Sequence, residues 1–163
     1  MAKKKRFVFL SDEFYGAYPA SEFPEIEQKR YRPYIQVIIE IGELKFAIPL
    51  RSGINHPHVF WTDKENHCGV DFSKAVVIND DCYIDSENEP RLRQNEFDAL
   101  RGKDYRIKVK MSAYIEKYKK ARKNINDPIN HTLVKFSTLQ YFENEIGFEE
   151  ESPKDDVQDA NSL

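Results

Sequence analysis

The chain has little of what usually marks a small enzyme. Only two of its 163 residues are cysteine. Cys68 and Cys82 make no CxxC pair, and two cysteines in a domain of this size imply no disulfide framework, so both are read as reduced thiols. No GxxxxGK[ST] or GxGxxG stretch occurs, which argues against nucleotide-dependent chemistry. His56-Pro57-His58 and the adjacent His67-Cys68 do not have zinc-ligand spacing, and HExxH is missing, so neither a metal nor another cofactor is expected. Ser52 stands outside a GxSxG elbow, which weakens a serine hydrolase reading. No apolar run is long enough to cross a bilayer. Phe7-Val8-Phe9-Leu10, behind the basic start Met-Ala-Lys-Lys-Lys-Arg, is too short for a signal-peptide core. A soluble, cytoplasmic protein without a membrane partner is expected.

What is present is charge, unevenly placed. Charged residues make up 33% and hydrophobic ones 40%, enough for one domain with a full core. The net charge of -3 conceals two opposed segments. Residues 149–163 hold six acidic residues and one lysine, and this polar tail is expected to be disordered outside a domain spanning residues 1–148. Between Arg101 and Lys123, ten Lys and Arg stand against Asp104 and Glu116, a local charge of +8. Such a block attracts polyanions. A solvated helix face is the other reading of it.

Hydrophobic periodicity orders the elements. Phe7–Leu10 predicts a short buried strand, Ser11-Asp12 a helix N-cap or turn, and Phe14–Pro19 an aromatic loop. Tyr34–Ile41 and Leu44–Leu50 are two β-rich runs around Gly42-Glu43, a hairpin signal. Val59–Thr62, Lys74–Ile78 and Cys82–Ile84 predict further strands, with Asp63–Gly69 as a turn and Arg91–Gln94 extending the sheet or lying at its edge. A helical pattern begins at Asn95 and continues through Lys103–Tyr118, with Ile107, Met111, Tyr114, Ile115 and Tyr118 on its apolar face. Arg106, Lys108, Lys110, Lys117, Lys119 and Lys120 fall on its other face. Asn124–Pro128 breaks the helix, and Leu133–Phe142 predicts a second one. Strands first and helices later make an α+β fold: one domain, a twisted antiparallel sheet with flanking helices.

The hairpin organises the candidate chemistry. A short turn brings the start of its first strand beside the end of its second, so Arg32 should meet Arg51-Ser52. His56 follows in the same loop. RNA cleavage needs little more, because the substrate carries its own nucleophile, the ribose 2′-OH. Arg32 and Arg51 would clamp a phosphate, Ser52 would donate to it, and His56 would move protons. Upstream, Lys29-Arg30-Tyr31 mixes cations with a ring, a combination that suits single-stranded RNA because cations meet phosphates while rings stack on bases. Bland readings stand beside these: Ser52-Gly53 closing a turn, His56 capping a loop, Arg32 pairing with Glu40 or Glu43.

The string Arg32-Pro-Tyr-Ile-Gln-Val-Ile-Ile-Glu-Ile, then Lys45-Phe-Ala-Ile-Pro-Leu-Arg-Ser with His56 after it and Gly69-Val-Asp-Phe-Ser-Lys-Ala-Val-Val-Ile downstream, resembles the toxins of type III toxin–antitoxin systems. This is the ToxN/AbiQ family, and the TenpN branch looks nearest; the resemblance covers about residues 7–147. It implies a MazF/Kid-like core and a metal-independent endoribonuclease that leaves a 2′,3′-cyclic phosphate and a 5′-OH. It also implies an antitoxin RNA of repeated pseudoknots, cut by the toxin and closed with it into a cyclic assembly, and a role in abortive phage infection. The family's basic catalytic residue, usually lysine, falls on Arg32. Its hydroxyl pair, commonly Thr-Ser, falls on Arg51 and Ser52, so the hydroxyl role passes to Ser52 alone. A lysine that some members carry after the serine is replaced here by Gly53-Ile54. An aromatic of the family site aligns with Phe14 or Tyr15. Arg106, Lys110, Lys117 and Lys120 on the basic helix face, with Lys29, Arg30 and Tyr31, would hold the RNA. A non-catalytic RNA-binding module is the rival expectation.

Overall fold

In this computed structural model, residues 5–28 and 33–149 are described. The expectations at Lys29, Arg30, Tyr31 and Arg32, and those for residues 150–163 of the acidic tail, lie outside the described residues.

The hairpin forms as its β-branched residues require. Strand β2 (Gln36–Ile41) pairs antiparallel with β3 (Leu44–Arg51), from Ile41↔Leu44 at the turn to Gln36↔Pro49 at the open end. Gly42 takes a φ of 59° there, left-handed backbone that glycine adopts without cost. Alternation places Val37, Ile39, Phe46 and Ile48 on one face, all buried. The ladder continues past the named strand, with Leu50 N–H donating to the Ile35 carbonyl at 2.8 Å. Arg51 therefore lies beside the segment that leads back towards position 32.

Around this hairpin the strands β1 (Phe7–Val8), β4 (Val59–Asp63), β5 (Cys68–Asp71) and β6 (Val76–Val77) complete a six-stranded antiparallel sheet. Its order is β1-β2-β3-β5-β4, and β6 pairs with the first half of β3. Asp63–Gly69 was expected to be a turn, yet Cys68-Gly69 belongs to β5. The strand is short and carries no alternation, so only pairing on both sides defines it. Gly69 is where β3 and β4 both close on β5, opposite Arg51 and Trp61. A Cβ there would lie 2.5 Å from the Phe60 carbonyl oxygen and 2.6 Å from Val59 Cγ1. Backbone cannot yield as a side-chain tip does, so Gly69→Ala should cost about 2–3 kcal/mol. Urea unfolding checks this; an unchanged midpoint would mean that β4 is free to move away.

The other departures have local causes. Phe14–Pro19 was expected to be a loop, but helix α1 (Asp12–Ala17) forms there, capped by Ser11, whose Oγ accepts from Phe14 N–H at 3.3 Å. Burial of Phe14, 0% exposed, outweighs the poor helix propensities of Tyr15 and Gly16. Of Lys74–Ile78 only Val76–Val77 is strand, because Asp71 caps a 3-10 turn at Phe72–Lys74. Cys82–Ile84 is not a strand either: Asp80 caps a 3-10 turn at Asp81–Tyr83, and Ile84 makes a single bridge to Leu10. Arg91–Gln94 does not join the sheet; its last residue opens α2 (Gln94–Leu100). Gly102, at φ 70°, separates α2 from α3 (Asp104–Lys123). Asp127, followed by Pro128 in the first turn, starts α4 (Pro128–Phe136) earlier than Leu133, and Ser137 then caps a 3-10 turn at Thr138–Tyr141.

Helix α3 buries Ile107, Met111, Tyr114, Ile115 and Tyr118, the face expected from the sequence, together with Ala121. It lies on β2 and leans on α4. The Tyr114 hydroxyl donates to Ser137 Oγ at 2.7 Å, and Thr138 Oγ1 donates to the Ser73 carbonyl at 3.2 Å and to that of Ala75. The segment after α4 thus braces residues 73–75 from behind. Among the described residues no helix is long and apolar enough to cross a membrane.

Candidate active site

At the open end of the hairpin the chain gathers Arg51, Glu27, Asp71, Ser73 and His56. Asp71, at the end of β5, is 0% exposed. Its Oδ2 takes Nη1 of Arg51 at 2.5 Å. Its Oδ1 accepts from Ser73 N–H at 3.0 Å, from Ser73 Oγ at 2.6 Å and from His56 Nε2 at 3.1 Å. Burial alone would raise the carboxyl pKa, but the bonds from His56, Ser73 and Arg51 outweigh it and hold it below the usual value. Asp71 is a buried carboxylate with every oxygen engaged.

Arg51 reaches Glu27 Oε1 with its other terminal nitrogen, at 3.0 Å. Its guanidinium carbon lies 6.0 Å from the ring centre of Tyr34. Burial opposes its charge, but hydrogen bonds and attraction to Asp71 and Glu27 prevail and keep it protonated. Arg51 was expected to clamp a phosphate. Instead both its terminal nitrogens are committed to carboxylates, and it acts as a strut between β3, β5 and the segment before position 29.

His56 is equally committed. Its Nδ1 accepts from His58 N–H at 3.1 Å, so Nε2 carries the ring proton and shares it between Asp71 Oδ1 and Ser73 Oγ, the latter at 3.2 Å. A proton-transfer role for His56 therefore requires one of these bonds to open. Ser52 by contrast is exposed, directly after β3, with Gly53 at φ 66° turning the chain away. Ile54 anchors the loop: it is buried and exchanges hydrogen bonds with His67, N–H to carbonyl at 3.1 Å and carbonyl to Nδ1 at 3.2 Å.

Two cationic or imidazole groups border this network. Lys74 Nζ donates to the Phe136 carbonyl at 2.9 Å. Burial lowers the pKa of its ammonium, and the opposing pull of Glu27 does not restore it. His58 stacks on His56, ring centres 5.5 Å apart at 28°, and meets Tyr114 at 5.4 Å. Burial first, then Lys117 and His56, pulls its pKa down to about 4.

The remaining expected residues are spread out. Phe14 was a candidate for stacking on RNA, but its ring is sealed inside a cluster with Tyr15, Tyr18 and Tyr83, so it serves the core. Tyr15 is half-buried, and burial, then Tyr34, raises its pKa to about 12. Arg106, Lys110, Lys117 and Lys120 are all exposed along α3. Lys110 and Lys117 border the His58 side, whereas Lys108 lines a separate cavity of about 720 Å³ with Lys5, Arg6 and Lys45. Glu27, Asp71, Ser73, Lys74 and His58 had not been singled out as site residues. One signal for Asp71 was present in the sequence: an acid inside Val70-Asp71-Phe72, where a buried strand has no other reason for charge. Among the described residues no group of three or more His, Cys, Asp and Glu is placed to hold a metal ion. Comparison with protein-family models, with curated proteins and with solved structures finds no match to this chain.

Proposed function

We propose that the chain is a metal-independent endoribonuclease of the type III toxin kind, similar to the ToxN/AbiQ toxins and nearest to their TenpN branch. The observation that carries this reading is the exposed Ser52, held at the hairpin's open end beside the Arg51–Asp71–His56 network, whose carboxylate is buried. In the proposed reaction the 2′-oxygen bonds to phosphorus as its proton leaves, and the P–O5′ bond breaks as O5′ gains a proton. Ser52 donates to a non-bridging oxygen, and Arg32 meets the charge that develops there. Proton transfer falls to His56, once it releases Asp71 or the His58 N–H, with Lys74 as the second titratable neighbour. Asp71 and Arg51 are positioning residues: they fix the loop from which Ser52 and His56 project.

A cyclic assembly with a repeated pseudoknot antitoxin RNA, a MazF/Kid-like core, a cytoplasmic location and a role in aborting phage infection belong to the same proposal. The exposed lysines and arginine of α3 support an RNA partner, because ten cations against two acids between Arg101 and Lys123 give a polyanion a surface to meet. One observation favours a second reading, a non-catalytic RNA-binding module: Arg51 and His56 are tied to carboxylates in the resting structure. Expression in bacterial cells separates the two. The nuclease reading expects growth arrest from the wild type and none from a folded Ser52→Ala variant. The binding module expects RNA to co-purify, with no arrest from either.

A further inference from the structure

Beside the network, and not part of it, lies a cavity of about 200 Å³ between the His56–His58 loop and one flank of α3. His58, Phe72 and Tyr114 wall it, and Lys110, Ala113 and Lys117 rim it from the helix. The rim residues fall at i, i+3 and i+7, one stripe of α3, which sets the backbone positions of the two lysines about 10 Å apart along the axis; Lys110 Nζ lies 6.0 Å from the Phe60 ring centre. This size admits a single planar heterocycle and is below the ~300–1,000 Å³ of drug-sized sites.

The chemistry of the walls narrows the occupant. His58 packs against His56, with the rings stacked, and against Tyr114, with the rings tilted at 49°, and neither of its ring nitrogens has a hydrogen-bond partner in the protein among the described residues. The neutral imidazole that burial favours carries one N–H donor and one acceptor nitrogen, pointing apart, and either can make a single hydrogen bond to the edge of a base. Aromatic walls would leave a bare phosphate poorly solvated, whereas a base with its phosphates outside matches both the walls and the lysines.

We propose that this cavity is a nucleobase subsite, in which one unstacked base of single-stranded RNA meets His58 while Lys110 and Lys117 hold the flanking phosphates. The inference deepens the ribonuclease reading and rests on it for the identity of the polymer. Because His58 stacks directly on His56, a base held here sets which nucleotide lies next to the scissile bond. The pocket is thus a determinant of cleavage-site preference.

The test follows the imidazole resonances of His58 while the four nucleoside 5′-monophosphates, and ribose 5-phosphate as a base-free control, are titrated into the full chain. Ala113→Phe fills the cavity from an exposed helix position without removing a charge. Saturable shifts with at least one nucleotide, absent with ribose 5-phosphate and weakened at least tenfold by Ala113→Phe, are expected. Equal response to ribose 5-phosphate, or no response to any nucleotide, overturns the subsite, and this comparison needs no variant. RNA cleavage by the same wild-type sample keeps the two ideas separable. Cleavage without base-dependent shifts removes the subsite alone, and base-dependent shifts without cleavage remove the nuclease reading alone.

Discussion

Asp71→Ala is expected to lower the unfolding free energy by about 3–5 kcal/mol and to abolish RNA cleavage. The stability loss follows from what is left behind more than from what is removed. Asp71 is fully buried, and without it Arg51 and the His56 Nε2 proton face a cavity in low dielectric. Glu27 remains on Arg51 and is partly solvated, which places the expected cost towards the lower end of that range. For a chain of this length, 3 kcal/mol corresponds to a fall of roughly 6–12 °C in Tm. Removing both charges should cost less than removing one, since a buried pair replaced by apolar groups is often close to neutral. A cycle of Asp71→Leu, Arg51→Met and the double variant measures this, with a coupling of about 2 kcal/mol or more expected. Additive single effects would mean that water already reaches the pair.

His58 should make the protein sensitive to mild acid. Its folded pKa of about 4 lies below the ordinary 6.5, so above pH 6.5 neither the folded nor the unfolded state is protonated there. As pH falls from 6.5 towards 4 the unfolded state takes up a proton that the folded state refuses, and stability declines across that window. The full shift would amount to about 3 kcal/mol, and partial solvent access to His58 reduces the expected loss to about 2 kcal/mol. Asp71, held below its usual 3.8, adds its own loss only in more acidic solution, because its stabilisation fades as pH drops through the lowered value. The check is denaturant unfolding from pH 7 to 4.5 for the wild type and His58→Gln. A distinctly flatter profile in the variant is expected; parallel profiles would assign the acid sensitivity elsewhere.

The legible parts of the fold were those in which local pattern and tertiary burial agree. The β-branched run of the hairpin around Gly42 and the five-residue apolar face of α3 both formed as their periods require. Elements failed to show where burial alone made them: α1 exists because Phe14 seals the core, and β5 because its neighbours pair with it on both sides. The site was half legible for the same reason. That Arg51, Ser52 and His56 lie at the same end of β3 follows from sequence proximity. That Glu27, Asp71 and Ser73 occupy the groups of Arg51 and His56 depends on contacts across 15 to 24 residues, for which no local pattern exists. The lysines of α3 were read as one face; in three dimensions Lys110 and Lys117 turn towards His58, Lys108 turns towards β2, and Lys119 and Lys120 line neither of those two cavities.

The most direct test is end-group analysis of RNA incubated with the purified protein in EDTA, run beside Ser52→Ala with its fold verified by circular dichroism. Fragments ending in 2′,3′-cyclic phosphate and beginning with 5′-OH, made by the wild type and lost by at least a hundredfold in the variant, are the predicted result. Intact RNA with the wild type, or equal cleavage by Ser52→Ala, would contradict the account.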